Sequence, residues 1–177
     1  MSSESQKPTP QGSYFIELMK GHNCTANFLE RVIDASEIKR NNIKIAVDIG
    51  SGRGVGTDAL LQCFPRAIVH AIDYYDILHK PLLDNPRVKF HRGLFTDILG
   101  QNVIPSADFV FLSFASRHHG FNENNIQQLI NLVGKGVLFT IGDNALLESE
   151  KWFRNGFQVV YEVGIDVTFD GVLWKCK

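Results

Sequence analysis

Residues 47–54 read Val-Asp-Ile-Gly-Ser-Gly-Arg-Gly, and this stretch decides which fold class the sequence indicates. The apolar residues 43–49 that lead into it predict a buried strand, and residues 57–63 predict a helix that ends before Pro65. A glycine-rich turn between a strand and a helix lets a ligand approach the backbone closely, beside free N–H groups at the helix start. The stretch therefore predicts an α/β domain with a ligand site at this turn.

Short apolar runs alternate with helical patterns through the rest of the chain. Further strands are predicted at 67–72, 88–91, 108–114 and 137–141, and further helical segments at 14–20, 74–79, 98–99, 124–133 and 146–154. Two β-rich runs, 157–169 and 172–176, end the chain, and Asp170-Gly171 between them is a hairpin turn signal. We expect a Rossmann-like three-layer α/β sandwich, whose mostly parallel seven-stranded sheet closes in a C-terminal antiparallel hairpin.

The chain is predicted to contain one folded domain. Residues 1–13 are polar and include two prolines, which predicts a flexible N-terminal tail. Residues 14–42 predict a helical leader, in which Asn23 or Thr25 caps a helix that runs to about residue 39 and stops at the polar break 40–42. Residues 43–177 predict the Rossmann-like core, so that 14–177 forms a single domain.

Composition and charge exclude several classes of protein. The chain has 177 residues, of which 44% are hydrophobic, and a net charge of −1 at pH 7, a balance that offers no long-range attraction for nucleic acid or anionic lipid. The three cysteines are isolated in sequence, so neither a disulfide framework nor a metal site is predicted. No apolar run suits a signal peptide or a membrane span. We expect a cytoplasmic protein that binds a small molecule, and a protein partner or a homodimer stays open.

The spacing of the glycines narrows the choice of ligand. A dinucleotide-binding loop reads G-x-G-x-x-G, and its third glycine would fall on Val55 counted from Gly50, or on Thr57 counted from Gly52. The Gly-Lys-Ser/Thr of a phosphate-binding loop is absent. The alternative is a turn that needs glycine only for its backbone shape, but the four glycines within residues 50–56 exceed what one turn requires.

A carboxylate after the second predicted strand supports a nucleoside ligand. Asp73 follows that strand directly, and its two oxygens can accept both hydroxyls of a ribose. The alternative is that Asp73 only caps the next helix. Tyr74 beside it can pack on an adenine ring or lie on the surface as an ordinary tyrosine.

The pattern acidic-x-Gly-x-Gly-x-Gly resembles the first motif of class I S-adenosylmethionine-dependent methyltransferases, and the resemblance covers about residues 43–177. It implies that the loop holds the methionine end of S-adenosyl-L-methionine, that the acid after the second strand holds the ribose, and that residues after the third strand flank the adenine. The cofactor-binding residues predicted in this way are Asp48, Gly50, Ser51, Gly52, Arg53, Gly54, Asp73, Tyr74, Leu94, Phe95 and Ser113.

The sequence departs from that family after the third strand, where Gly93-Leu94 replaces the usual Gly-Asp. The adenine is then held by apolar contact and backbone N–H groups, or by Asp97, the nearest acid.

Residues 113–119 also lack the Asn/Asp-Pro-Pro-Tyr/Phe motif of amino-group nucleic-acid methyltransferases. In this segment His119 and His118 are the predicted general bases, because imidazole titrates near neutral pH; the alternative is that they pack at the strand end.

The sequence therefore predicts an S-adenosylmethionine-dependent methyltransferase that transfers a methyl group in line to a small molecule. Two alternatives stay open. One is a methyltransferase that acts on protein or RNA, and the other is a non-catalytic subunit that binds the cofactor and regulates or completes a partner.

Overall fold

The computed structural model describes residues 26–113, 126–143, 154–164 and 169–177. The helices are α1 (Ala26–Ala35), a 3-10 turn (Arg40–Asn42), α2 (Val55–Cys63), α3 (Lys80–Leu83), α4 (Phe95–Gly100) and α5 (Ile126–Val133). The strands are β1 (Ile45–Ile49), β2 (Ile68–Asp73), β3 (Val88–Arg92), β4 (Phe109–Ser113), β5 (Val137–Asp143), β6 (Phe157–Gly164) and β7 (Phe169–Cys176). Of the helices described, none has the length and apolar character needed to cross a bilayer.

The seven strands form one sheet in the order β3-β2-β1-β4-β5-β7-β6. The first five pair in parallel, and β7 pairs antiparallel with both β5 and β6. This arrangement confirms the predicted α/β class, the mostly parallel sheet and the antiparallel hairpin at its end. The chain moves outward from β1 to β3 and then returns to the other side of β1 as β4. The crevice beyond the carboxyl end of β1 is therefore the switch point at which such sheets bind ligands.

Each face of the sheet carries its own apolar core, as expected for strands covered on both sides. Neighbouring residues of one strand enter opposite cores: Ala46 and Phe109 pack beneath α1 and α2, whereas Val47 and Val110 pack beneath α4 and α5. Trp174 of β7 fills the second core, and its indole N–H donates to the Thr140 hydroxyl at 2.9 Å. The middle strands are therefore fixed from both faces, and the site at their carboxyl ends rests on a rigid base.

Two predictions of local secondary structure were wrong. Asp170-Gly171 does not form the hairpin turn, because both residues lie inside β7, where Gly171 pairs with Ile141 on one side and Val163 on the other. Pairing with two neighbouring strands overrides the local turn preference. The helix predicted at 74–79 does not form, and the next helix after β2 is α3, which begins at Lys80. Pro81 lies in the first turn of α3, where a residue without an N–H loses no hydrogen bond.

Several predicted segments lie outside the described residues, namely the tail 1–13, the helix 14–20 and most of the helix 146–154. The leader helix ends at Ala35, four residues earlier than expected, and the predicted polar break at 40–42 is a single 3-10 turn. The helix ends here because Glu37 has a φ of 59°, in the left-handed region, and the Ile38 N–H donates back to the Ile33 carbonyl at 3.3 Å.

Arg87, just before β3, holds the C-terminal end of α2. One guanidinium nitrogen donates to the carbonyls of Phe64, Pro65 and Ala67 at 3.1–3.4 Å, and the other donates to the carbonyl of Leu61 at 3.2 Å. The last carbonyls of a helix have no partner inside the helix, and a cation there also complements the helix dipole. Arg87 therefore joins the end of α2 to the outer strand of the sheet.

We predict that Arg87→Met lowers the free energy of unfolding by about 2–4 kcal/mol, because loss of the half-buried guanidinium leaves several carbonyls without a donor. Urea denaturation measures the change. Arg66→Met removes an exposed arginine nearby and serves as the matched control. Equal stability of the two variants would contradict the capping role.

Candidate functional site

The loop of residues 50–54 leaves β1 and crosses the carboxyl end of the sheet. Gly50, Gly52 and Gly54 have φ values of 77°, 52° and 100°, in the left-handed region that side chains disfavour. The N–H groups of Gly50 and Ser51 both donate to the carbonyl of Ile72 in β2, at 2.9 and 3.0 Å. The glycines thus let the chain turn sharply while it stays bonded to the neighbouring strand.

Asp73, the last residue of β2, binds the middle of this loop. One of its carboxylate oxygens accepts the Gly52 N–H at 2.8 Å, and the other accepts the Tyr75 N–H at 2.8 Å. No helix begins directly after Asp73, so the carboxylate caps a turn of its own rather than the next helix. A carboxylate has about four acceptor positions, so each oxygen keeps one for a further donor.

Asp48, in β1, binds the start of the helix that follows the loop. It is only 1% exposed, and its carboxylate accepts the Thr57 hydroxyl at 2.6 Å. Burial is the main cause that raises the pKa of this carboxyl to about 7; the nearby Asp73 charge also raises it, while the bonds from Thr57 oppose the shift. The structure therefore places the Asp48 carboxylate against α2, in contact with Thr57.

The glycines around the loop separate a packed side from an open side. At Gly56, an added Cβ would lie 2.7 Å from the Phe111 ring and 2.9 Å from the Asp48 carboxylate, and at Gly54 it would meet Leu82. At Gly52, an added Cβ would have none of the described atoms within 4 Å. With respect to the residues that the structure describes, the loop is therefore packed at 54 and 56 and open at 52, where a ligand can reach the backbone.

Ser51 contributes a buried hydroxyl to the same loop. The residue is 4% exposed, and its Oγ has no hydrogen-bond partner among the residues that the structure describes. Most buried polar atoms in proteins do have a partner, so an unpaired hydroxyl in a ligand loop fits a bound polar group. Arg53, next in the loop, is half-buried, and its carbonyl accepts the His79 N–H at 3.3 Å.

Two apolar side chains stand at the edge beside Asp73. Tyr74 is 53% exposed and Leu94 is 38% exposed. A bond of 2.9 Å from the Gly93 N–H to the Asp73 carbonyl holds the two segments side by side. Phe95 does not share this position, because its ring is fully buried in the core beneath α4. Apolar surface for a flat ring is thus available from Tyr74 and Leu94, and not from the Phe95 side chain.

The predicted catalytic residues cannot be placed. His118 and His119 belong to 114–125, outside the described residues, and of Ser113 only the strand backbone is described, paired with Ile141. Asp97 lies exposed in the first turn of α4. The structure therefore brings the glycine loop and the acid after β2 together.

Thr57 and Gly56 are the residues of this site that sequence reasoning missed. Both residues follow the motif and lie in the first turn of α2, and their local sequence does not distinguish them from other helix residues. One signal pointed to them: Gly54, which precedes the helix, has no side chain with which to cap it. The acceptor for the first N–H groups of α2 must therefore come from elsewhere in the fold.

We predict that Gly56→Ala lowers the free energy of unfolding by about 1–3 kcal/mol, because the new methyl group would press on Phe111 and on the Asp48 carboxylate. Gly100→Ala is the matched control, since that helical glycine has open space around its Cβ position and alanine favours helices. Thermal and urea unfolding compare the two variants. A Gly56→Ala protein as stable as the Gly100→Ala protein would show that α2 does not need this close approach.

Two histidines meet beside the site. His70 of β2 and His91 of β3 bring Nδ1 and Nε2 to 2.9 Å, so one ring donates and the other accepts. His70 is 2% exposed, and burial lowers its pKa to about 4, helped by His91 and Lys89. Burial and Lys89 also lower the pKa of His91. The pair is therefore neutral at pH 7, and it links the outermost strand β3 to β2.

We predict that this pair makes the protein less stable in acid. Its folded pKa lies below the usual 6.5 of histidine, so the unfolded chain binds protons first and stability falls between pH 6.5 and 4. His70→Asn should reduce that fall by about 3 kcal/mol, measured by urea denaturation across this range against His79→Asn, which removes an exposed histidine. The raised pKa of Asp48 acts oppositely in all three proteins. Equal pH profiles of the two variants would contradict the assignment.

Comparisons with known proteins agree on the fold. No protein-family model and no curated protein matches the sequence. Among solved structures, a SAM dependent methyltransferase from Aquifex aeolicus matches with a TM-score of 0.68 and 16% identity, over 84% of this chain and 89% of that one. The pyocyanin biosynthetic protein PhzM matches with a TM-score of 0.66 and 22% identity, over 96% of this chain and 59% of that one.

A third similar structure is the precorrin-6y C5,15-methyltransferase from Geobacter metallireducens, with a TM-score of 0.62 and 15% identity, over 84% of this chain and 87% of that one. All three identities are low, so the likeness concerns the fold. The chain has the fold of class I S-adenosylmethionine-dependent methyltransferases.

Proposed function

We propose that the protein is an S-adenosylmethionine-dependent methyltransferase that acts on a small molecule. The observation that carries the proposal is the glycine loop at the carboxyl end of β1, open at Gly52 and bonded there to Asp73, within a methyltransferase fold. This combination joins a backbone that a ligand can approach to a carboxylate that can accept ribose hydroxyls.

The described residues fit the cofactor in three places. The loop of residues 50–54, with the unpaired hydroxyl of Ser51, would hold the methionine end. The remaining acceptor positions of Asp73 would bind the ribose, and Tyr74 and Leu94 offer exposed apolar surface for the adenine. When bound, S-adenosylmethionine supplies a methyl group on a cationic sulfur, and the two carboxylates Asp48 and Asp73 make this end of the sheet favourable for a cation.

The work left to the protein is to orient and shield the reacting groups. Methyl transfer is an in-line displacement, so alignment of the acceptor with the methyl group accounts for much of the acceleration. A rigid sheet edge, pinned by the bonds from the loop to β2, suits that task. His119, or His118, is proposed as the base that takes a proton from the acceptor where the acceptor must lose one.

A small-molecule acceptor is supported by two of the similar structures, because one is named for precorrin-6y methylation and the other for pyocyanin biosynthesis. The net charge of −1 agrees, since a nucleic-acid substrate favours a basic protein. Methyl transfer to protein or RNA, and cofactor binding without turnover, are the alternatives that the assay below separates.

We predict that S-adenosylmethionine binds the protein in isothermal titration calorimetry and that Asp73→Ala weakens binding about 10–100-fold, because two charge-assisted bonds are lost. Asp76→Ala, which removes an exposed carboxylate three residues later, should bind like the wild type. Thermal unfolding of both variants shows whether the fold survives, since Asp73 also holds Gly52.

Absence of binding to folded wild-type protein would overturn the proposal. Unchanged affinity of Asp73→Ala would remove the ribose assignment. If binding is present, labelled methyl transfer is then measured on panels of small molecules, peptides and RNA. Methylation of RNA or peptide alone would replace the small-molecule proposal, and binding without any transfer would favour the non-catalytic subunit.

A further inference from the structure

The helix α2 begins without a side-chain cap of its own. Its preceding residue is Gly54, so the N–H groups of the first turn need an acceptor from another part of the chain. Asp48 of β1 lies against this turn, and its carboxylate accepts the hydroxyl of Thr57 at 2.6 Å. A strand residue thus binds the first turn of the helix through a side chain of that turn.

The contact between Asp48 and Thr57 is closed to solvent. Both residues are buried, and Gly56 lets the helix approach so closely that a Cβ there would lie 2.9 Å from the carboxylate. A buried carboxylate that loses a donor cannot turn to water instead, so each bond from Thr57 counts more than a surface bond would.

This contact also joins the two ends of the cofactor loop. Asp48 stands two residues before Gly50, and Thr57 stands three residues after Gly54. Their bond closes the loop across its base, while Asp73 holds its middle through Gly52. The shape of the loop therefore depends on Asp48 being an acceptor.

We infer that Thr57 is a positioning residue for cofactor binding, because its hydroxyl keeps Asp48 as an ionised acceptor that holds the cofactor loop. The inference rests on the proposed binding of S-adenosylmethionine at this loop. Thr57 lies beneath the loop in this arrangement, and it acts through Asp48 rather than by touching the ligand.

The surroundings of Asp48 give this role a pH signature. Among the described residues, the charged group that acts on Asp48 is Asp73 of β2. The elements α2 and β4 face it with Thr57, Gly56 and the Phe111 ring, which do not titrate. Burial and Asp73 raise the pKa of Asp48 to about 7, and the bonds from Thr57 hold it down. Without the hydroxyl, the pKa of Asp48 rises further, and the ionised form requires a higher pH.

The experiment measures the dissociation constant of S-adenosylmethionine between pH 5.5 and 9 by calorimetry, for the wild type, Thr57→Val, Thr57→Ser and Asp48→Asn. Valine keeps the shape and the N–H but lacks the hydroxyl, serine keeps the hydroxyl, and asparagine gives the baseline set by the cofactor's own amino group. We expect wild-type affinity to rise with pH around 7, and Thr57→Val to move that midpoint upward by about one pH unit, with about fivefold weaker binding at pH 7. Thr57→Ser should restore the wild-type midpoint.

A uniform loss of affinity in Thr57→Val with an unmoved midpoint would overturn the inference, and so would a Thr57→Ser protein that behaves like the valine variant. If no protein binds the cofactor at any pH, the proposed function fails, and stability without ligand still tests the pair. In the wild-type background, Thr57→Val should then lower the free energy of unfolding more at pH 8.5 than at pH 5.5. This difference between the two pH values should vanish in the Asp48→Asn background. A difference that persists there would show that Thr57 does not act through Asp48.

Discussion

Two carboxylates that accept hydrogen bonds from the protein's own chain determine the shape of the site. Asp48 binds the first turn of α2 through Thr57, and Asp73 binds the glycine loop through Gly52. Because glycine adopts many backbone conformations with little strain, the bonds to these acceptors help to select the left-handed conformation that the loop adopts. The two acids that the sequence motif predicts to bind a ligand thus also hold the glycine loop and the helix that follows it.

The burial of Asp48 has a cost for the stability of the fold. A buried carboxyl with a pKa of about 7 is a poor contributor to folding at neutral pH, since ionising it in the core costs free energy. Asp48 is nevertheless placed where a cation would favour its ionised form. Groups whose pKa is strongly shifted by burial and by a nearby charge are enriched at functional sites, and Asp48 is such a group.

Local features of the sequence predicted much of the fold, and contacts between distant residues account for most of the errors. The strand, glycine turn and helix around residues 45–63 depend on short-range periodicity, so their pattern is visible in the sequence. The turn predicted at Asp170-Gly171 does not form, because both residues pair with β5 on one side and with β6 on the other. Phe95 follows Leu94 directly but points into the core, and Thr57 matters only because a strand brings Asp48 to it. Such partners are set by tertiary packing, which periodicity does not report.

The cap that Arg87 places on the far end of α2 has a consequence for ligand binding. The helix carries an acid at its N-terminal end and a guanidinium at its C-terminal end, each of the sign that complements the helix dipole. Held at both ends by strands of the same sheet, α2 has little freedom to slide or tilt. The loop and the start of α2 are therefore held in place before a ligand arrives, and fixing this part of the chain on binding costs little conformational entropy.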